Sequence, residues 1–225
     1  MKSAALFLCA FAVSSLFASP ETPAPMKTDQ PQEKPGDVLY SDAEKAKLMR
    51  GEIVTREVAN PGGRRNGKTY DALGLVRGTV EQVFDVLADY EKYPQFMPNV
   101  ETARIENSEG NTSVVEYKLG LPMGQVKRYK LSLTATREEA QASITWHKVP
   151  WPELKDSETI VETTGFWFLR PFSEKPGYLF ARYHVYTDPG RIPTGLGWIV
   201  NILTKGSMPD ILKNTNKRVE SLYHK

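Results

Sequence analysis

Apolar residues recur along this chain with two periods, and the change of period separates its helices from its strands. Between Thr79 and Val100 (TVEQVFDVLADYEKYPQFMPNV), Val80, Val83, Phe84 and Leu87 stand at i, i+3, i+4 and i+7, which is one stripe on a helix. Thr79 and Gln82 have the spacing of a capping box, in which each side chain satisfies a free N–H of the helix start. Asp89 is placed to cap a second, shorter turn. Pro94 disfavours helical geometry at Tyr93, and Pro98 ends the element. The expectation is two short helices with Tyr90, Tyr93, Phe96 and Met97 clustered at their end.

Upstream, SDAEKAKLMR (41–50) has a cap and good helix formers before Gly51. Glu52 to Val58 alternates as a strand does, and NPGGRRNG (60–67) reads as a loop. Downstream, β-branched and aromatic residues alternate in segments separated by turn residues. Strands are predicted at Thr69–Arg77, Glu101–Asn107, Ser113–Leu119, Gln125–Arg137, Ala142–Val149, Glu158–Leu169 and Tyr178–Thr187. Turns at Glu109–Asn111, Leu121–Pro122, Glu138–Glu139 and Lys175–Gly177 make antiparallel hairpins the economical arrangement. The period then returns to that of a helix over Leu196–Tyr223. Trp198, Ile199, Ile202 and Leu203 form a stripe before Gly206, and Met208, Ile211, Leu212, Thr215, Val219 and Leu222 form one after it. Ser207 and Asp210 with Pro209 read as a fresh helix start, with the Ser207 hydroxyl engaged as its cap. A sheet followed by a long amphipathic helix must bury that helix on its concave side.

Strand parity sorts the aromatic residues. Gly165, Trp167 and Leu169 share one face, as do Tyr129, Leu131 and Leu133. With Trp146, Tyr183 and Val185 they would line a cup beneath Trp198 and Ile202. For any single one of these residues, core packing is the default reading. Phe166 and Phe168 point to the other side, where the 41–58 segment could cover them; left uncovered they would form a membrane or partner patch.

Composition narrows the function. The chain has 225 residues, 40% hydrophobic and 25% charged, with a formal net charge of +2, too small for the concentrated basic surface that nucleic acid favours. MKSAALFLCAFAVSSLFAS reads as a signal peptide ending near Ala18, because its apolar run is shorter than a bilayer span. Its removal takes the single cysteine, Cys9, so the mature chain has no thiol and no disulfide. Residues 19–40 include five prolines and read as an extended tether. His147, His184 and His224 have no metal-ligand spacing, and the first two read as solvated strand residues. There is no GxSxG elbow, and Gly195-Leu196-Gly197 lacks the third glycine of a nucleotide loop. Glu101, Glu116 and Glu162 read as surface carboxylates, and Lys127, Arg128 and Lys130 as a solvated strand, with contact to an anionic headgroup as the alternative.

The stretch DVLADYEKYPQFMPNV, the pair around GLPMGQVKRYKLSLT, the GFWFLRP strand, the YTDPG turn and the KGSMPDIL helix resemble the START-like (SRPBCC) superfamily. The similarity runs from Thr69 to the C-terminus and is greatest to the polyketide cyclase/dehydrase and coenzyme Q-binding types. The resemblance implies an α+β helix-grip fold, a curved antiparallel sheet wrapped around a long C-terminal helix, with two short helices after the domain's first strand. The expected organisation is a signal peptide (1–18), a tether (19–40), an N-terminal helix and strand (41–66) and the START-like domain (67–225). The expected function is that of an exported monomer, periplasmic or secreted, binding an apolar small molecule or lipid, with transient membrane contact, no nucleic acid, no metal and no cofactor. The expected ligand contacts are Tyr90, Tyr93, Phe96, Met97, Tyr129, Leu131, Trp146, Trp167, Tyr183, Trp198 and Ile202. The alternatives are a cyclase/dehydrase- or hydrolase-type enzyme using the same cavity, and a partner-binding domain with a filled one.

Overall fold

The computed structural model describes residues 40–60, 67–190 and 205–224. They form an eight-stranded antiparallel sheet in the order β1-β2-β8-β7-β6-β5-β4-β3. The strands are β1 (Val54–Val58), β2 (Lys68–Arg77), β3 (Val100–Glu109), β4 (Thr112–Leu121), β5 (Gln125–Arg137), β6 (Ala142–Val149), β7 (Glu162–Pro171) and β8 (Tyr178–Asp188). Helix α1 (Asp42–Met49) precedes β1, α2 (Val80–Ala88) follows β2, and α3 (Met208–Tyr223) ends the described chain. This is the α+β helix-grip arrangement, and β3 to β8 follow one another through hairpins or short loops.

The capping box forms: Thr79 accepts from the Gln82 N–H at 3.2 Å, and Gln82 Oε1 accepts from the Thr79 N–H at 3.0 Å. Val80, Val83, Val86 and Leu87 are buried beneath α2. The second short helix is a 3-10 segment, Tyr90–Gln95, with Pro94 inside it. Asp89 contributes its backbone carbonyl, which accepts from the Lys92 N–H at 3.1 Å, and its side chain caps nothing. The tighter coil lets Tyr93 fold back, and its hydroxyl donates to the Leu87 carbonyl at 2.6 Å.

Helix α3 differs from expectation at both ends. Ser207 has helical φ and ψ and makes no side-chain cap bond, because a 3-10 turn over Lys205–Ser207 feeds directly into the helix. Leu222 is exposed, beyond the sheet's reach. Between them Met208, Leu212, Thr215 and Val219 are buried, and Leu212 seats on Gly74 of β2, where a β-carbon would stand only 3.2 Å from Leu212 Cδ1. The predicted helix over residues 196–204 lies outside the described residues, as do the signal peptide and the tether to residue 39.

The sheet buries both faces. Its concave face packs on α2 and α3. Its other face carries Phe166, Phe168, Phe180 and Leu73, covered by Leu48 of α1 and Val54 of β1 with Tyr40 and Phe172. The 41–58 segment is thus the cover that Phe166 and Phe168 require.

Candidate functional site: an aromatic cavity under the C-terminal helix

Between the concave face, the end of the 3-10 segment and the start of α3 lies a cavity of about 140 Å³. Successive hairpins place every second side chain of β4 to β8 on its wall. Tyr117 and Tyr129 are register partners on β4 and β5, and their rings stack at 5.5 Å and 23°. Trp146 of β6 stacks on Tyr183 of β8 at 5.5 Å and 25°, across β7. That contact needs Gly165, the register partner of Trp146 on β7, whose missing side chain leaves room for the Trp146 ring. Trp167 closes on Tyr183 at 4.7 Å.

Seven of the expected contacts line the cavity: Tyr93, Met97, Tyr129, Leu131, Trp146, Trp167 and Tyr183. Tyr90 does not; it is buried behind Tyr93, edge-on at 5.9 Å. Phe96 does not either, because it faces α3, where Arg218 lies 6.0 Å from its ring and Asn214 Nδ2 donates to its carbonyl at 2.9 Å. Trp198 and Ile202 lie outside the described residues. Sequence reasoning missed Tyr117, Leu119, Ile160, the Thr163–Thr187 pair and Ile211. Tyr117 and Leu119 were legible from the alternation of Val115, Tyr117, Leu119 and Leu121; Ile160, from an irregular loop, carried no periodic signal.

No charged side chain lines the cavity among the described residues. Its polar side-chain groups are hydroxyls, the Asn99 amide and the indole N–H groups of Trp146 and Trp167, and burial pushes the phenols of Tyr93, Tyr117, Tyr129 and Tyr183 above the usual range, so all four are neutral. Among the described residues no three His, Cys, Asp or Glu side chains gather to hold a metal ion.

Two charged residues correct the sequence reading. Lys127 is buried rather than solvated, and Nζ donates to the carbonyls of Ser157 at 3.0 Å and Thr159 at 2.8 Å. Burial lowers its pKa, with Asp156 working in the opposite direction. By engaging those carbonyls Lys127 holds residues 157–160 as a strap, which is why β7 begins at Glu162 and not at Glu158 as expected, and it fixes Ile160 on the cavity wall. His184 also departs from expectation. It lies on the covered face, stacked on Phe166 at 4.8 Å, with Nδ1 donating to Asp71 Oδ1 at 2.8 Å. Arg182 donates to both oxygens of the fully buried Asp71 at 3.0 Å, and Arg56 adds an ion pair at 3.0 Å. His147 is exposed. Glu101 and Glu116 sit in the ion pairs Lys118–Glu101 and Arg104–Glu116.

Residues 76–180 match the model of a family described as "Polyketide cyclase / dehydrase and lipid transport". The match spans the 3-10 segment and β3 to β7, the elements that build most of the cavity wall. The fold is the helix-grip fold of START-like proteins. The domain is similar in fold to a STAR-related lipid transfer protein from Xanthomonas axonopodis, at 17% identity and TM-score 0.62 over 75% of this chain and 93% of that one. Human StAR-related lipid transfer protein 5 is similar at 19% identity and TM-score 0.58, over 81% and 94%. The Zhui aromatase/cyclase from Streptomyces sp. R1128 is similar at 15% identity and TM-score 0.52, over 74% and 94%. No curated protein matches the chain.

Proposed function

We propose that this chain is an exported binding module whose START-like domain holds an apolar small molecule, a lipid or isoprenoid-like compound, in the cavity under α3. The wall carries this reading: stacked aromatic and aliphatic side chains, neutral hydroxyls and no charged group among the described residues. Small-molecule sites have that composition. Lipid transport in the matching family's description and the names of two similar proteins, both lipid transfer proteins, support it. Export rests on the apolar leader before Ala18.

Size sets the mode of binding. Sites for drug-sized ligands run from about 300 to 1,000 Å³, whereas a cavity of about 150 Å³ takes a benzene-sized group. At about 140 Å³, this cavity holds a single ring or a few methylenes, so a larger ligand enters by displacing Met97–Val100 and the Ser207–Ile211 end of α3, which line it. Membrane contact during loading is assigned to the β4–β5 turn, where Met123 is 76% exposed beside the exposed Val126.

The test is solvent extraction of exported protein followed by mass spectrometry. A co-purifying hydrophobic compound, released near one per chain and bound again unchanged, is the expected result. Absence of any such compound, with no uptake of an apolar fluorescent probe, would overturn the reading. A second reading, turnover in the same cavity, follows from the words cyclase and dehydrase in the family's description. It would take over if the extracted compound were converted on incubation.

A further inference from the structure

We infer that the groove between the 3-10 segment and α3 is a second binding site, which takes a phosphate-type oxyanion such as a phosphate monoester. It lies outside the aromatic cavity and does not depend on what that cavity holds.

Pro94–Pro98 form one side of the groove, and Asn214, Lys217, Arg218 and Ser221 form the other, around a volume of about 420 Å³. The four α3 positions are spaced i, i+3, i+4 and i+7, so one stripe of the helix supplies them, beside the buried stripe of Leu212, Thr215 and Val219. Met97 and Pro98 line both the groove and the cavity, yet the two spaces have opposite character. Two cations line the groove, and among the described residues no carboxylate does.

Neither cation is neutralised by the protein. Arg56, Arg104, Arg137 and Arg182 all pair with carboxylates, whereas Lys217 and Arg218 make no ion pair among the described residues. Glu220 stands three residues from Lys217, a spacing at which helical ion pairs form, but its carboxylate accepts from Asn216 Nδ2 at 3.0 Å. Arg218 Cζ lies 6.0 Å over the Phe96 ring, a contact that uses none of the five guanidinium N–H donors. Two like charges facing one groove repel each other, and an anion there removes that cost.

The donor set selects the anion. A guanidinium fork matches the oxygens of a phosphate or carboxylate, and the lysine adds a point charge. A phosphate monoester carries about −1.5 to −2 charge at neutral pH and three terminal oxygens, which matches two cations, whereas a carboxylate neutralises only one. Asn214 gives one amide N–H to the Phe96 carbonyl at 2.9 Å and keeps its second for the groove. Pro94, Phe96 and Pro98 offer an apolar side to the organic part of the ester.

Isothermal titration of the exported chain with glycerol 3-phosphate at low ionic strength tests the site. Saturable one-to-one binding is expected, with hydrogen exchange slowed at residues 95–99 and 214–221. Arg218→Gln and Lys217→Gln should each weaken binding about tenfold, the loss of one charge-assisted hydrogen bond. Lys217 is exposed and touches no ring, so its variant reads the site even if Arg218→Gln, which removes the Phe96 contact, unfolds. Lys213→Gln removes the same charge from an exposed position outside the groove and should stay within about twofold of wild type. Vesicles of phosphatidylcholine with phosphatidic acid, which ends in the same phosphate monoester, identify the source. Retention that glycerol 3-phosphate releases assigns the site to a lipid headgroup, and its absence assigns it to a free phosphate. Acetate binding as tightly as glycerol 3-phosphate would overturn the choice of phosphate. No saturable binding, unchanged exchange at the groove, or equal losses in Lys213→Gln and Lys217→Gln would overturn the site itself, and the cavity reading, measured with its own apolar probe, would stand.

Discussion

At Gly165 a side chain has nowhere to go. A β-carbon there would overlap both the His184 carbonyl oxygen and the Trp146 ring, so Gly165→Ala must shift strand backbone as well as the ring. Overpacking of this kind costs about 1–3 kcal/mol. The ring can move more readily than strand backbone, so the variant is expected to melt several degrees lower and to lose probe affinity, checked by thermal unfolding and fluorescence titration. Asp71 acts on the other face. Burial works to raise its carboxyl, but hydrogen bonds from His184 and Arg182 outweigh it and hold the pKa at about 2, below the ordinary 3.8. A depressed carboxyl contributes stability that is complete above its unfolded value and lost as pH falls through the folded one. At pH 2 about 2 kcal/mol of stability should be gone from this group. Asp71→Asn should cost about 3–5 kcal/mol at neutral pH, because it strips Arg182 of its counter-charge. Urea unfolding at pH 7 and pH 2 checks both statements, with the gap between wild type and variant narrowing in acid.

Elements meet at the cavity's end in a junction that holds few bonds among the described residues. The 3-10 segment is tied to α3 by Asn214 Nδ2 donating to the Phe96 carbonyl and by Arg218 over the Phe96 ring. Asn99, with φ of 63°, turns the chain from that segment into β3. Opening for a large ligand must separate these pieces, because Lys127 fastens the strap on the opposite wall. Asn214→Ala is expected to cost about 1 kcal/mol. It should raise hydrogen exchange at residues 93–99 and speed probe entry, with β5 and β6 unchanged. If exchange rose in the 157–160 strap instead, the entrance would lie on that side.

In the whole domain one sheet separates two cores, and only one of them borders the cavity. The covered face buries a charged network beneath phenylalanines, with Arg182 5.0 Å from the Phe166 ring. That face can therefore carry stability without touching the ligand. Leu48, fully buried in α1, tests the division. Leu48→Ala should cost about 2–5 kcal/mol by the usual large-to-small penalty. Probe affinity of the folded protein should stay within about twofold of wild type, sites so far apart being additive. A large loss of affinity without unfolding would mean that the cover shapes the cavity.

What the sequence determined by itself is whatever depends on neighbours a few residues apart. The capping box at Thr79, the stripe of α2, the inward parity of Trp167, Tyr129 and Leu131, and the need for a cover over Phe166 and Phe168 all follow from periods of 3.6 and 2, and all appear in the fold. Tertiary structure decided the properties that depend on distant partners. Asp71 and His184 are 113 residues apart, so no local pattern could distinguish a buried ion network from a solvated strand edge. Lys127 looks like any other strand cation until carbonyls about 30 residues away turn towards it. Tyr117 belonged to a legible alternation, but its stack on Tyr129 exists only where β4 and β5 pair in this register. Periodicity fixes the direction of a side chain; the groups that meet it there are fixed by how the sheet curves and by what closes over it.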